Sequence, residues 1–564
     1  MTRVAYIATT NFESINRIGL KMLTRYAKKS ASRPVYVDLS GLWDFYFPAD
    51  LAVANVQPSV VKKGARFTRI FLRICLLRIR LIAARIEYMP LKKAEIIGEV
   101  KRLQQRFAHC NCEEVLDQDL LGFPLSSILF HDASLFLKIH DLHSLDALRQ
   151  AELRRMALLL LTAYQVLARS SLLQRSYRLF AFEGYSLNML LKLMMRQLGG
   201  ELIFFSFPSH KNVSFDRIEF TADTLPSRRR RKCQYWESNL EGIHLTAGLL
   251  TESILDIETR LFKGGSHVYS PSLGANFFRH NPLLARSAHL DLPIVTVFTS
   301  SLDEFMATQH MQALFSQDLP DSAQIFTSQI EMLTALAQLA TQWQSFQLVI
   351  RHHPRLGQAK DNRRSQYYED LCYALDEIDS PFVHVIMPED NLSSYWLVAW
   401  SSCVLNSWSN IGLESLRLGV PVLNLFSEYR SVCYWPTTLF PSLASFDDVK
   451  LFIAASFDRA EFARRQKHLL LLAHSFYTFM NVSTYADLDQ DFLPGITETR
   501  DWEIQSFARA SGTNVAGQTI IKSAGIVADR LINFLSARIN APGDRGFASP
   551  LLQRLQAIRD SPDV

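Results

Sequence analysis

Residues 391–426 read NLSSYWLVAWSSCVLNSWSNIGLESLRLGVPVLNLF, and their reading decides the fold. A helix-forming stretch (Ser394–Ala399) leads into an apolar strand (Cys403–Asn406), which stops at Ser407, Trp408, Ser409 and Asn410. A second helix follows over Asn410–Leu418, with Gly412, Glu414 and Ser415 in its first turns; Gly419 ends it and Pro421 enters the next strand. Glycine at a helix C-terminus tolerates positive φ. The loop at a strand's carboxyl end, opening a helix, is where α/β sheets take ligands. Free N–H groups and the helix dipole suit a phosphate there. Ser407, Ser409 and Asn410 can cap the helix or meet phosphate oxygens, and Glu414 can accept hydrogen bonds from ribose or sugar hydroxyls. The plainer alternative is a capped helix whose dipole Glu414 complements. These residues alone leave the two readings open.

Working outward, the same alternation runs from about Pro293 onward, with strands expected at Ile294–Thr299, Gln347–Ile350, Val383–Ile386 and Val420–Leu425. Helices are expected between them at Ser328–Gln342, Arg364–Glu377 and Phe446–Ala455. Upstream, Val4–Ala8, Ile15–Lys29 and Val35–Leu39 make a β-α-β start, and Arg178–Phe182, Leu187–Leu198 and Glu201–Phe207 make another. Long helical regions cover about Arg66–Phe107 and Leu145–Leu173. The expected class is therefore α/β: two Rossmann-like doubly wound domains facing a cleft, with extra helices. Residues 263–293, rich in Gly and Pro, are the expected linker. That divides the chain into a first domain (1–280), a second (290–480) and a tail (481–564) with a helix packing back, its last residues, 541–564, expected to fray.

Composition narrows the function. Of 564 residues, 48% are hydrophobic and 20% charged, enough to bury sizeable cores. A net charge of +5 gives no case for a nucleic-acid partner. The seven cysteines form no CxxC pair, which fits a reducing compartment. Cys110 and Cys112 beside His109 lack a second ligand pair, so no metal site is expected. The N-terminus reads as a strand rather than a signal peptide, and no stretch reaches the ~18 uncharged apolar residues of a spanning helix. The expected location is the cytoplasm, or the inner face of the cytoplasmic membrane. Residues 66–86, RFTRIFLRICLLRIRLIAARI, place arginines on one helical stripe and apolar residues opposite. Such a helix suits an anionic membrane, but burial of its apolar half in the first domain is favoured. The five cations Arg228–Lys232 are read as a solvated loop.

Three further elements carry candidate chemistry. In LVIRHHPR (348–355) an apolar strand ends in Arg351, His352, His353, Pro354 and Arg355, a compact cationic group suited to phosphate or a departing nucleotide. In VTVFTSSLDEF (295–305) a strand runs into Thr299, Ser300, Ser301, Asp303 and Glu304, acids at a cleft edge or simply acids of a helix first turn. In LFAFEGYSLN (179–188) Glu183 follows a strand and Gly184 permits a tight turn. A carboxylate there can serve as the base that a sugar hydroxyl needs, or as an N-cap.

In order and spacing, these motifs resemble the capsule polysaccharide biosynthesis family of GT-B glycosyltransferases. They stand here as Thr299–Phe305, Arg351–Pro354, Ser394–Leu397, Ser409–Glu414 and Gly419–Val422. The resemblance implies inverting, metal-independent sugar transfer without a cofactor. The nucleotide-sugar donor is expected on the second domain, at Ser300, Ser301, Arg351, His353, Pro354, Ser407, Ser409, Asn410, Gly412 and Glu414. The acceptor, a capsular or lipopolysaccharide chain or a glycolipid, is expected on the first. The acid-Gly and His-Pro pairs also resemble bacterial sialyltransferases and Kdo transferases, which use CMP-linked sugars. That likeness implies Glu183 as base and His353 on the CMP phosphate, with Asp303 as the reserve base. Trp408 departs from the small residue commoner there, and Phe207–His210 lacks the usual Gln-His. The competing functions are a CDP-glycerol-type polyol-phosphate transferase, a nucleotide-sugar epimerase and a non-catalytic assembly or export protein.

Overall fold

Arg3–Ala8 (β1) and Arg33–Asp38 (β2) lie parallel, joined by the Glu13–Ser30 helix. Glu87–Pro90 (β3) extends the sheet beyond β2. A small antiparallel pair, Asp119–Leu120 (β4) and Phe123–Pro124 (β5), precedes the Leu125–Leu137 helix. Arg178–Phe182 (β6) pairs with the other edge of β1, followed by Glu201–Ser206 (β7) and the antiparallel Arg217–Thr221 (β8). The second sheet, wholly parallel, holds Ile294–Phe298 (β9), Gln347–Arg351 (β10), Val383–Ile386 (β11), Ser401–Asn406 (β12) and Val422–Asn424 (β13). This is a computed structural model, and it describes residues 3–8, 13–30, 32–39, 81–82, 85–90, 93–143, 145–169, 178–182, 186–206, 217–221, 225–263, 281–315, 325–357, 364–376, 378–407, 409–425, 435–440, 443, 445–483, 486–487, 507–508, 518–539 and 550–562.

The strand orders are β14-β8-β7-β6-β1-β2-β3 and β11-β10-β9-β12-β13, where β14 is Ala486–Asp487. Both sheets thus wind outward in one direction from their first strand and then in the other. That reversal opens a crevice at the carboxyl ends of β1 and β6 in one sheet and of β9 and β12 in the other. The expected fold class, two Rossmann-like doubly wound domains with extra helices, is what the chain adopts. Its central strands are buried on both faces, so they read as near-continuous apolar runs. Thr296, a buried polar residue within β9, is satisfied by a 2.6 Å hydrogen bond between its Oγ1 and Ser401 Oγ.

Several sequence expectations need correction. The helical region expected over Arg66–Phe107 is broken by β3 and resumes as Lys93–Arg106. Most of the basic segment 66–86 lies outside the described residues; of its described part, Leu81 and Ile86 are buried and Ile82 is exposed. The Arg228–Lys232 run is not a loop. It belongs to the Leu225–Ser238 helix, where i, i+4 spacing aims Arg228 and Lys232 at one carboxylate, Glu219 of β8. Burial pushes the Lys232 ammonium down to about 8, with Glu219 opposing. The boundary at 280 also misplaces a segment: Trp236, Leu250 and Leu261 pack in the second sheet's core with Ile294 and Val349. Trp236 meets Phe476 edge-on at 5.1 Å. Finally, the tail does not fray throughout. After β14 pairs with β8, the Ala524–Ile539 and Pro550–Arg559 helices join the second core. Gly419, at φ +72°, leaves the surface against which Leu555 and Ile558 rest; an added Cβ would stand 3.2 Å from both. Among the described residues, no helix is long and apolar enough to cross a membrane.

The last helix can be tested for this structural role. Leu555 is fully buried, so Leu555→Ala should lower the unfolding free energy by about 2–5 kcal/mol, read by urea titration of tryptophan fluorescence. A frayed tail would show no change.

Candidate functional site

The tips of β9, β10 and β12 are tied to one another before any ligand is considered. Thr299 N–H donates to the Arg351 carbonyl at 3.1 Å, and Thr299 Oγ1 accepts from His353 N–H at 2.9 Å. Gln329, the first residue of the Gln329–Trp343 helix, spans the crevice: its Oε1 accepts from Ser300 N–H at 2.7 Å and from Ser407 Oγ at 3.0 Å. Its Nε2 donates to the Ser300 carbonyl at 3.2 Å. Ser300, Ser407 and Gln329 are all buried. The structure therefore brings Ser300 and Ser407 together, as the sequence implied, but through a glutamine that sequence reasoning missed. Nothing in its local pattern distinguishes Gln329 from any polar residue of a helix first turn.

The His-Pro turn after β10 is held from the other domain. Lys138, the left-handed residue closing the Leu125–Leu137 helix (φ 54°), donates from Nζ to the Arg355 and Gly357 carbonyls, each at 2.8 Å. Arg355 in turn reaches Asp303 Oδ2 at 3.0 Å, Glu304 at 3.3 Å and the Leu135 carbonyl at 2.7 Å. Asp303 is fully buried and also accepts from Ser301 Oγ. The proposed reserve base is thus committed to an ion pair. Burial raises the Glu304 carboxyl, against the pull of Arg355.

The histidines are not part of a cationic group at neutral pH. Burial, aided by Arg355, Arg351 and Lys138, pushes His353 down to about 3; burial and Arg351 push His352 down to about 4. His353 Nδ1 accepts the Arg355 N–H at 3.3 Å, so in the neutral ring Nε2 carries the proton. Positive charge comes instead from Arg351, Arg355 and Lys138. Burial pulls the Arg351 guanidinium down to about 10, still charged at neutral pH. Its Nη1 donates to the Met387 carbonyl, while its buried Nε and both His352 ring nitrogens have no hydrogen-bond partner among the described residues.

The Leu125–Leu137 helix reaches the edges of both sheets. At its middle, the fully buried Asp132 accepts the Ser186 N–H at 2.9 Å, four residues beyond the end of β6. At its end, Lys138 holds the turn beyond β10. The Leu302–Phe315 helix packs alongside, stacking His310 on Phe130 with centroids 3.9 Å apart, and its Met311 and Leu314 enter the first domain's core.

The remaining predicted residues divide clearly. Ser409 is half-buried and Asn410 exposed at the start of the Ile411–Arg417 helix, with Asn410 Oδ1 3.4 Å from Arg229 Nη2. Gly412 is required by close packing, since an added Cβ would lie 2.6 Å from Asn406 Nδ2. Glu414 is spent elsewhere: Oε1 accepts from Arg260 at 2.6 Å and Oε2 from Tyr395 at 2.8 Å. Arg260 continues to Asp256, which also pairs with the fully buried Arg417 at 2.9 Å. The helix reading of Glu414 therefore fits better than the hydroxyl-binding one. Pro354 follows His353 into a short turn, with Pro at its start. Glu183 and Trp408 lie outside the described residues.

No family model matches the sequence, and no curated protein matches it. Solved structures do. A UDP-GlcNAc 2-epimerase from Neisseria meningitidis bound to UDP-GlcNAc is 9% identical (85% of this chain, 99% of that one, TM-score 0.23). A glycosyltransferase from Rickettsia africae is 7% identical (91% and 100%, TM-score 0.25). A transferase from Siraitia grosvenorii in complex with UDP is 11% identical (91% and 99%, TM-score 0.24).

Two measurements check the site's electrostatics. Burial holds His352 at about 4 and, away from the strand tips, holds His474, which lies against Ser253 and the Arg417 carbonyl, at about 3, both below the ordinary histidine value of about 6.5. As pH falls below that value the unfolded chain takes up protons that the folded chain refuses. Stability present above about pH 6.5 is then lost toward pH 4, at about 1.4 kcal/mol per pH unit for each histidine. Urea midpoints should fall between pH 7 and 5, and His474→Asn should flatten the slope; an unchanged slope would contradict the assignment. Separately, Arg355→Met strands a buried Asp303 and should cost about 3–5 kcal/mol. Part of that loss should return on adding Asp303→Asn.

Proposed function

We propose that the protein is a glycosyltransferase that moves a sugar from a nucleotide-activated donor to a saccharide or glycolipid acceptor. The observation that supports this reading is the placement of Arg351 and His353 at the carboxyl edge of the second sheet, on a turn held by Arg355 and by Lys138 of the first domain. There a helix shared with the first sheet's edge closes the space between them. A guanidinium near a departing nucleotide phosphate stabilises the charge that develops as the glycosidic bond breaks. The neutral His353 adds a hydrogen-bond donor there. Transfer of this kind draws its electrostatic help from side chains, which is the metal-independent, inverting chemistry that the motif resemblance implies.

The donor is placed on the second domain, about the β9–β12 crevice and the His-Pro turn, and the acceptor on the first. A CMP-linked sugar and a growing capsular or lipopolysaccharide chain at the inner face of the cytoplasmic membrane are the finer form of the proposal; they rest on the motif resemblance alone. An epimerase needs free acids about the sugar. Asp303 and Glu414 are both committed to arginines, which favours transfer.

The test is nucleotide release from CMP-N-acetylneuraminate, UDP-N-acetylglucosamine, GDP-mannose and CDP-glycerol by purified protein. Release from a sugar donor supports the reading; release from CDP-glycerol alone favours phosphoryl transfer. His353→Ala should abolish release with little change in melting temperature. Activity surviving within about tenfold, or 1.4 kcal/mol of barrier, would remove His353 from the donor site.

A further inference from the structure

We infer that His131, oriented by Asp132, is the base that takes the proton from the acceptor hydroxyl. This rests on the transferase reading above. The dipeptide stands within LSSILFHDASLFL (125–137), an otherwise largely apolar helix. An aspartate is almost never fully buried without a partner, and Asp132 has two. Its Oδ2 accepts the Ser186 N–H at 2.9 Å, which fixes the carboxylate against the start of the Ser186–Gln197 helix. Its Oδ1 lies 2.9 Å from His131 Nδ1. A carboxylate only accepts, so Nδ1 holds the ring proton and the Nε2 lone pair is left to accept another. The imidazolium formed on protonation is stabilised by the same carboxylate, the arrangement that makes histidine effective in general base catalysis. Among the described residues, Asp132 is the only ionic or hydrogen-bond partner of His131, and the ring keeps 14% of its surface open.

Position supports the role. Asp132 is anchored to the edge of the first sheet and Lys138 to the turn beyond β10 of the second. His131 and Lys138 are seven residues apart, two helical turns, so they share one side of the helix about 10 Å apart. Because Lys138 holds the turn that carries His353, the helix sets His131 about two turns from the second domain's His-Pro turn. Of the other described carboxylates near the sheet edges, Asp303 and Glu304 pair with Arg355, Glu414 with Arg260, Asp390 with Arg286 and Glu389 with Arg364, while Asp38 accepts from the Tyr88 hydroxyl. In the reaction His131 Nε2 takes the acceptor's hydroxyl proton as its oxygen bonds the anomeric carbon. The bond from that carbon to the phosphate oxygen breaks, and its electron pair leaves with the nucleotide. His131 then passes the proton to solvent.

The experiment compares wild type, His131→Ala, His131→Gln, Asp132→Asn and Glu183→Gln for nucleotide release to water from the four donors named above. His131→Ala should slow release about 10²–10⁴-fold with KM little changed. It should also abolish the fall in kcat/KM that wild type shows as acid protonates the base. Asp132→Asn should weaken release less and displace that fall, as expected of a positioning residue. His131→Gln, which keeps bulk and a hydrogen bond to Asp132, carries the test if the alanine variant folds poorly. Release by the His131 variants within about tenfold of wild type, with the acid limb intact, overturns this assignment and leaves the transferase reading standing. So does loss of that limb in Glu183→Gln but not in the His131 variants. No release from any donor by wild type overturns the transferase reading, and this inference with it.

Discussion

The arrangement of the two sheets depends on one reciprocal exchange, in which Lys138 of the first domain holds the carbonyls of Arg355 and Gly357, and Arg355 holds the Leu135 carbonyl of the first. Lys138 is buried, and a buried ammonium is costly unless its protons are used. The left-handed conformation at Lys138, rare for a residue with a Cβ, turns the chain out of the helix just where the ammonium must reach the second domain. The Gln366 N–H donates to the Lys138 carbonyl at 2.9 Å, so both the backbone and the side chain of this residue bond across. With Arg355 also pinned to Asp303, the His-Pro turn has little freedom that is independent of the first domain.

The parts legible in sequence share a physical reason. The central strands are buried on both faces, so Ile294–Phe298, Gln347–Arg351 and Ser401–Asn406 announce themselves as short apolar runs ending in polar residues. The polar residues that end them mark the carboxyl edge of the sheet, which is why Thr299–Ser301, Arg351–His353 and Ser407 could be placed at strand tips without a structure. What failed was whatever depended on a distant partner. Glu414 looked available because Arg260 stands 154 residues away. The Arg228–Lys232 run looked solvated because composition gives no hint that Glu219 waits on a neighbouring strand. The Gly- and Pro-rich stretch suggests a boundary near residue 280, but core membership changes earlier, near the Leu225–Ser238 helix, because packing follows apolar faces rather than chain composition.

The second domain separates its charges into two systems with different consequences. On one side, Glu414, Arg260, Asp256 and Arg417 form a buried chain of ion pairs that locks the Ala247–Glu258 helix onto the Ile411–Arg417 helix. Every acid there meets an arginine, so the chain can be wholly buried without free charge. On the sheet edge the pairing is incomplete. Arg351 has no carboxylate within ion-pair distance among the described residues, and both neighbouring histidines are neutral. Two protonated histidines would repel the guanidinium beside them; with both imidazoles neutral, Arg351 keeps its charge under the pull of Asp390 and Glu389 from beyond ion-pair distance.

Neutral histidines also change how such a site discriminates. A fully cationic cluster attracts any phosphate, the cell's free anions included, and its grip is set by net charge. An edge with buried arginine and a neutral imidazole N–H gains less from charge alone and more from geometry, because a hydrogen bond from His353 Nε2 is strong only when an acceptor oxygen lies along it. The backbone fixes that geometry: His353 N–H is held by Thr299, its Nδ1 by Arg355 N–H, and the turn by Lys138. Each restraint comes from a different element, two in the second domain and one in the first. The direction of the imidazole is thereby coupled to the docking of the domains, so a shift between them would move the His353 ring relative to the strand tips instead of carrying both together.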